Sequence, residues 1–277
     1  MNMNKIDDSF RIHRPSNSSC DIYPGNKLST FRNLLPCNVD LTGNWEVAIT
    51  NLTYPRKIFN VVDGHFDFYY HNYKAWMNDC KVPVGAYDTV ADLVHAMQKA
   101  IFSKKVGISG GTVPTFFKYR LNDSSVMVFL DRHTRFRNMS DDLFYILGCH
   151  KETSGYTEGY VDMPHLPVDI NRFHQIFIYC DFLEPQIVGN TLAPLLQSVP
   201  LFQPQQVPPL EITKIPGGVL GYGATVTHNF NPLQYTKVSK QTLGSALIEL
   251  RTDIGELVPF RGEGRTNITL RFRRIES

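Results

Sequence analysis

The sequence predicts an all-β protein made of antiparallel sheets, with two short helices on connecting segments. Three observations predict this class. Segments with the period-2 alternation of strands greatly outnumber segments with helical periodicity. Strands and helices do not alternate along the chain, which favours a two-sheet sandwich over a parallel α/β sheet. The segment 185–216 holds seven of the 17 prolines and is therefore predicted to be a long ordered crossing over the surface.

The strand-like segments are separated by turn signals, such as Asn122-Asp123-Ser124 between two segments that should form a hairpin. Phe173–Phe182 is apolar on both faces, which predicts a central strand. Period 2 places Trp45, Val47, Ile49, Phe177, Ile248, Leu270 and Phe272 in the core. The predicted strands are Leu28–Leu35, Trp45–Tyr54, His65–His71, Phe116–Tyr119, Val126–Leu130, Phe173–Phe182, Ala224–Phe230, Ala246–Leu250, Leu257–Phe260 and Asn267–Arg273.

The segment Trp45–Tyr54 changes phase part of the way along. Trp45, Val47 and Ile49 share one face, but the next apolar residues, Leu52 and Tyr54, are out of step with them. A slip of one residue inside a strand predicts a β-bulge or a bend.

Two segments have the spacing of short amphipathic helices. In 88–102, five apolar residues from Val90 to Ile101 form one helical stripe, and Asp88 or Thr89 can cap it. The second helix is predicted over 139–147, with Ser140 as its cap and Gly148 as its stop.

Composition excludes several classes of protein. The 277 residues are 42% hydrophobic and 19% charged, as in a globular chain, and the net charge of +2 does not by itself imply a nucleic acid or membrane partner. No apolar run reaches the roughly 18 residues of a membrane helix, and no secretory signal is visible. The five cysteines, Cys20, Cys37, Cys80, Cys149 and Cys180, lack metal-ligand spacing and are expected to be reduced.

The sequence offers few candidates for catalytic or metal-binding residues. His65, Asp67 and His71 lie on one strand face, but residues six apart on a strand are roughly 20 Å apart, too far to hold one metal ion without a sharp bend. Asp131 and His133 could form a base with its orienting group, although such pairs are common in loops.

Two further candidates also have simpler interpretations. The glycines of 218–223 open no helix, so they predict a turn and not a phosphate-binding loop. Cys180 lies in an apolar strand, where burial should make its thiol inert. We therefore expect no catalytic residue, no cofactor and no metal.

A basic segment lies near the end of the sequence. Residues 261–274 contain five Arg and one Glu, and alternation places Arg271 and Arg273 on the outward face of their strand. Such a face is either solvated or meets an acidic neighbour. A contact between subunits is favoured over a contact with nucleic acid, because positive charge is not concentrated elsewhere in the sequence. Arg271 and Arg273 are therefore candidates for a subunit interface, and Arg273→Glu is expected to favour the monomer.

Three blocks of the sequence resemble the minor capsid, or penton, proteins of Maverick/Polinton and adintovirus-like elements. They occur in the expected order over nearly the whole chain, and the His that usually precedes the last Phe is Arg271 here. The first block is FRIHRPSNSSCDIYPGNKLSTFRNLLPCNVDLTGNWEVAITNLTYPR, in which the matching residues are Pro15–Ser19, Tyr23–Asn26, Leu35-Pro36 and Trp45–Ala48. The second block is IYCDFLEPQIVGNTLAPLLQSVP, in which they are Tyr179, Asp181, Val188-Gly189 and Pro194–Leu196. The third block is TDIGELVPFRGEGRTNITLRFRR, in which they are Asp253, Gly255, Pro259-Phe260, Gly264, Leu270 and Phe272–Arg274.

The resemblance implies a single jelly-roll capsid domain over 1–277, with a possible helix-containing insertion around 72–165 and the proline-rich crossing 185–216. A strand with a phase slip could turn a corner between the two sheets of such a fold. The resemblance also implies a structural protein without catalytic residues. It would form a homopentamer, the penton, at the fivefold vertices of an icosahedral double-stranded DNA virus-like particle.

The expected partners are further copies of the chain and a double jelly-roll major capsid protein. Direct binding to nucleic acid or membrane is not expected, and the expected location is the virion, assembled inside the host cell. The alternative is a jelly-roll protein of the cupin or lectin type, with a metal near His65 or a sugar on exposed aromatic residues.

Overall fold

The computed structural model describes residues 8–70, 75–87, 89–104, 117–122, 125–130, 134–147, 173–201, 225–262 and 264–275. The chain forms two compact units. The first, the jelly-roll unit, consists of Met1–Ile58 and Phe173–Ser277, and the second, the inserted unit, is Phe59–Arg172. The sequence predicts an insertion over 72–165.

Strands make up most of the described chain, and two helices, α1 (Val90–Ser103) and α2 (Asp141–Ile146), lie in the inserted unit. The strands are β1 (Ser9–Pro15), β2 (Thr30–Asp40), β3 (Trp45–Pro55), β4 (His65–Tyr70), β5 (Ala75–Lys81), β6 (Phe117–Asn122), β7 (Ser125–Leu130), β8 (Thr134–Arg137), β9 (Gln175–Cys180), β10 (Gln186–Val188), β11 (Thr191–Ala193), β12 (Leu195–Pro200), β13 (Thr225–Asn229), β14 (Thr236–Lys237), β15 (Thr242–Thr252) and β16 (Asn267–Arg274).

The strand order of the jelly-roll unit identifies its fold. Sheet A has the order β1-β16-β3-β13, with β14 also paired to β3, and sheet B has the order β12-β9-β15-β2. All of these pairs are antiparallel. Without the short β14, the two sheets contain eight strands, which can be numbered one to eight along the chain. In these numbers, sheet A has the order 1-8-3-6 and sheet B has the order 5-4-7-2. This is the double Greek-key order of a jelly roll, as the sequence predicts.

The core of the jelly-roll unit is formed by the inward faces of the two sheets. Six of the seven predicted core residues are buried, namely Trp45, Val47, Ile49, Ile248, Leu270 and Phe272. The prediction for Phe177 is wrong, because Ile176 and Ile178 are the buried residues of β9 and Phe177 is half-buried on the opposite face near Tyr179. A strand that is apolar on both faces gives no signal for which face is turned inward.

The predicted phase slip in β3 is confirmed as a β-bulge. Leu270 of β16 pairs with Ile49, whereas Thr269 pairs with Asn51, so Thr50 is the extra residue. The bulge returns Leu52 and Tyr54 to the core, where they are 0% and 1% exposed. The corner between sheets is not observed, because β3 pairs with β16 on both sides of the bulge and stays within sheet A.

The two predicted helices and the predicted hairpin of the inserted unit are confirmed. Thr89 caps α1 in a capping box with Asp92, and the Ser140 hydroxyl accepts a hydrogen bond from the Leu143 amide at the start of α2. The apolar stripe of α1 is buried in a separate core. β6 and β7 pair on either side of the predicted turn, and β4 lies between β5 and β8 in a three-stranded sheet.

The predicted proline-rich crossing is wrong for residues 186–200, which form β10, β11 and β12. The prolines of this part stand at Pro185, Pro194 and Pro200, outside or at the ends of these strands. Among the described strands, β12 lies at the edge of sheet B and pairs with β9, so proline at its end removes no hydrogen bond from the sheet interior. The rest of the crossing, from residue 202 onward, lies outside the described residues.

Candidate subunit interface

The outward face of sheet A carries a row of arginines. In β16, Ile268, Leu270 and Phe272 are buried, so Arg271 and Arg273 point away from the core, as the alternation predicts. In β1, Phe10 and Ile12 pack against the core and Arg11 is exposed on the outward face. Three guanidinium groups therefore share this face of two adjacent strands.

Arg273 has partners within its own chain. Its guanidinium forms an ion pair with Glu46, the residue directly opposite on β3, and it lies over the Tyr235 ring, 3.6 Å from the ring centroid. An ion pair together with a cation–π contact fixes the side chain and partly neutralises it. Arg273 is thus less available to another molecule than the sequence alone suggests.

Arg271 has a different environment. Its direct neighbour across the β1–β16 pair is Arg11. Like charges placed directly opposite each other in a sheet are destabilising. Within the described part of the chain, neither guanidinium has an ion-pair partner. An acidic side chain from another molecule would relieve this repulsion.

The hairpin formed by β10 and β11 is an apolar projection. Ile187 and Leu192 are direct cross-strand partners, and they are 81% and 71% exposed, more than any other large hydrophobic residue described. The sequence-based expectation of a proline-rich crossing did not include this hairpin. The sequence does contain a feature that predicts this hairpin, namely the two-residue Gly189-Asn190 loop between short apolar segments. Gly189 has the positive φ of 61° that such a turn requires.

Asp181, at the end of β9, connects strands of sheet B. Its carboxylate forms ion pairs with Arg32 at 3.2 Å and Lys240 at 3.1 Å, and it accepts a 2.9 Å hydrogen bond from the Leu247 amide. The side chain is 23% exposed, so these bonds are partly shielded from water. Asp181 therefore has a structural role in this sheet.

Asp181→Ala should lower the free energy of unfolding by about 1–3 kcal/mol, because the Leu247 amide and two cations lose their acceptor. Urea denaturation followed by circular dichroism would measure this loss. Asp21→Ala, which removes an exposed carboxylate from the β1–β2 loop, is the matched control and should change stability by less than about 0.5 kcal/mol. Equal effects of the two variants would contradict the role of Asp181.

The residues considered for a metal site have other partners. The His65 ring lies 3.2 Å from Asp79, and the buried Asp67 carboxylate accepts hydrogen bonds from the Asp79 amide and the Asn138 side chain, both at 2.8 Å. Among the described residues, no three metal-binding side chains form a cluster. His71, Asp131, His133 and the glycines of 218–223 lie outside the described residues.

The cysteines differ in exposure. Burial raises the pKa of the Cys180 thiol well above its usual value, as expected for an inert thiol in an apolar strand. Cys20 is exposed and lines a cleft of about 560 Å³ between the β1–β2 loop and the β15–β16 loop. Cys149 lies outside the described residues. None of the described helices is long and apolar enough to cross a membrane.

Comparison with known proteins adds the following. No protein family model matches the sequence, and no curated protein is significantly similar to it. Among solved structures, the mavirus penton protein is similar over 96% of this chain and 99% of its own, with 10% identity and a TM-score of 0.46. A chain of the Sputnik virophage is similar over 97% of this chain and 98% of its own, with 11% identity and a TM-score of 0.44. The chain is thus a jelly roll by its own strand order, and it is similar along nearly its whole length to two virophage structures.

Proposed function

We propose that this chain is a structural capsid protein, the penton, which closes the fivefold vertices of an icosahedral double-stranded DNA virus-like particle as a homopentamer. The jelly-roll order supports a capsid role, since viral capsid proteins are among the main users of this fold. The pentamer and the double jelly-roll major capsid partner come from the sequence resemblance. The virion is the proposed location.

The observation that carries the proposal is the β10–β11 hairpin. Ile187 and Leu192 are opposed large aliphatic side chains that form an exposed apolar surface on this hairpin, and a subunit would bury such a surface on assembly. A closed ring uses a head-to-tail interface, in which this hairpin of one copy meets a different surface of the next copy.

Replacing both Ile187 and Leu192 by Ser should shift the protein from pentamer toward monomer. The loss of two aliphatic contacts weakens each interface by about 3 kcal/mol or more, and it recurs at every interface of the ring. Light scattering coupled to size exclusion, over a range of protein concentrations, measures the shift.

Ile22→Ser is the matched control, because Ile22 is 55% exposed in the same unit but lies outside the hairpin. A double variant that remains pentameric would exclude the hairpin from the interface. A wild-type protein that stays monomeric at high concentration and does not join the major capsid protein would overturn the proposed function.

Arg271 provides a second test of the interface. Arg271→Glu should weaken assembly by roughly 2–5 kcal/mol if the side chain pairs with a carboxylate of the adjacent copy. The fold should tolerate this change, because Glu at this position would face Arg11 across the strands and remove the like-charge pair. Arg273→Glu is less informative, since it would repel Glu46 in its own chain.

Sedimentation velocity of the Arg271→Glu protein measures this effect, with Arg265→Glu as the control because Arg265 is exposed just before β16 and has the same charge. A pentamer of unchanged stability in the Arg271→Glu protein would remove Arg271 from the proposed interface, and the hairpin test would stand on its own.

The alternative is a jelly-roll protein of the cupin or lectin type, because cupins and lectins share this topology. Elemental analysis of the purified protein and a glycan-binding screen separate the two functions. Stoichiometric metal or specific sugar binding by a monomer would favour the alternative.

A further inference from the structure

One charged side chain lies inside the jelly-roll sandwich. Phe10, Ile12 and Arg14 alternate along β1 with their side chains on the inward side, and Arg14 is 3% exposed. Its cross-strand partner is the buried Ile268 of β16. The last inward residue of this edge strand thus carries a guanidinium group into the protein interior.

The Arg14 guanidinium has unpaired donors. Its Nε and Nη2 atoms are buried without a hydrogen-bond partner. These two nitrogens form one edge of the guanidinium, the planar fork that binds an anion through two parallel N–H bonds. Other buried polar groups of the same unit do have partners, such as the Tyr54 hydroxyl, which lies 3.0 Å from Nε2 of His228.

Two more buried polar atoms without partners lie at the same end of the sandwich. Thr266 is 0% exposed, its Oγ1 has no partner, and its main chain exchanges hydrogen bonds with Ser16, two residues beyond Arg14. Asn33 of sheet B is 1% exposed, and its Nδ2 donates a 3.0 Å hydrogen bond to the Pro15 carbonyl, while its Oδ1 has no partner. Thr266 is therefore linked to the chain near Arg14 through Ser16, and Asn33 is linked to it through Pro15.

Among the described residues, no side chain balances the charge of Arg14. Burial lowers the pKa of Arg14 to about 10, so the guanidinium is still protonated at neutral pH. The ionisable group that acts on it is the Cys180 thiol, whose pKa burial raises, so this thiol is uncharged at neutral pH. Within the described residues, no carboxylate forms an ion pair with Arg14. A buried charge is normally paired, because burying it alone is costly.

We propose that Arg14, Thr266 and Asn33 form a buried binding site for one small monovalent anion of the size of chloride, accompanied by one water molecule. Arg14 donates to the anion through Nε and Nη2, and Thr266 donates through its hydroxyl. Asn33 Oδ1 needs a donor, which an anion lacks, so the water donates one hydrogen to Asn33 and the other to the anion. All four atoms without partners are then satisfied.

The low exposure of the residues at this site favours a small ligand. Ser16 and Thr266 close this end through two backbone and side-chain hydrogen bonds of 2.8 Å and 3.0 Å, and they are 5% and 0% exposed. A halide fits such an enclosed polar site better than a large organic anion. The anion would hold β1 onto the edge of sheet A, where β16 is its partner among the described strands.

The test compares thermal unfolding in sodium chloride and sodium gluconate at equal ionic strength. For the wild-type chain, we expect Tm to be about 5–10 °C higher when chloride is present at 100 times its Kd. Arg14→Met should lose this chloride-specific shift. Arg265→Met, which removes an exposed guanidinium, should retain it. Hydrogen exchange of the β1 amides should slow in chloride for the wild type and for Arg265→Met, but not for Arg14→Met.

Diffraction from wild-type crystals grown in bromide gives a second readout that needs no variant. An anomalous peak beside Arg14 supports the site, and a water molecule there instead overturns it. If Arg14→Met fails to fold, Thr266→Val serves in its place and should reduce the chloride-specific shift in Tm. Equal Tm values of the wild type in chloride and gluconate would also overturn the proposal.

Discussion

Phe272→Ala is expected to lower the free energy of unfolding by about 3–5 kcal/mol, because removing the ring leaves a cavity between the two sheets. Phe272 is 0% exposed. Its ring stacks on Phe10 at 4.8 Å and approaches Phe182, from the other side of the sandwich, at 5.8 Å. Urea denaturation followed by circular dichroism measures the loss.

Phe177→Ala is the control for this prediction, since it removes the same side chain from the outward face of β9, where the ring is half-buried. It should cost less than half as much, because partly exposed atoms lose less on truncation and leave no closed cavity. Equal losses for the two variants would mean that the assignment of inward and outward faces in β9 or β16 is wrong.

Gly64→Ala should disrupt the inserted unit. A Cβ atom at Gly64 would lie 2.3 Å from the backbone oxygen of Val82 and 3.0 Å from its Cβ. The Val82 amide donates a 2.9 Å hydrogen bond to the Gly64 carbonyl, so the two segments cannot separate without losing it. We expect a loss of about 3 kcal/mol, at the upper end of overpacking costs, since the clash is with backbone.

Hydrogen exchange of α1 amides reports this loss for the inserted unit alone. Gly85→Ala is the matched control, because the nearest atom to its new Cβ would be a Tyr87 ring carbon at 3.7 Å, an ordinary contact. Strong protection of α1 in the Gly64→Ala protein would contradict the proposed clash.

Features governed by local pattern could be predicted from the sequence. The bulge of β3 follows from a one-residue change of phase, which predicts its position between Ile49 and Leu52. The helix α1 follows from a capping residue and an apolar stripe with helical spacing. Both depend on neighbours in the chain, which the sequence displays directly.

Features that depend on contacts between residues far apart in the chain could not be predicted from the sequence. The orientation of Phe177 depends on which sheet face meets the core, and both faces of its strand are apolar. The outward position of Arg273 was predictable from alternation, but its ion pair with Glu46 depends on the register of two strands more than 200 residues apart. The unpaired buried atoms of Arg14, Asn33 and Thr266 likewise come from β1, from β2 and from the residue before β16.

The position of β16 also bears on how the chain folds during synthesis. β16 follows every other strand of the jelly roll in the chain, yet it lies between β1 and β3 in sheet A. Until the ribosome has translated β16, β1 and one edge of β3 lack the strand that pairs with both of them in the folded protein. Nascent chains that stop before β16 would therefore keep a half-built sheet with open strand edges, which are templates for pairing with other chains.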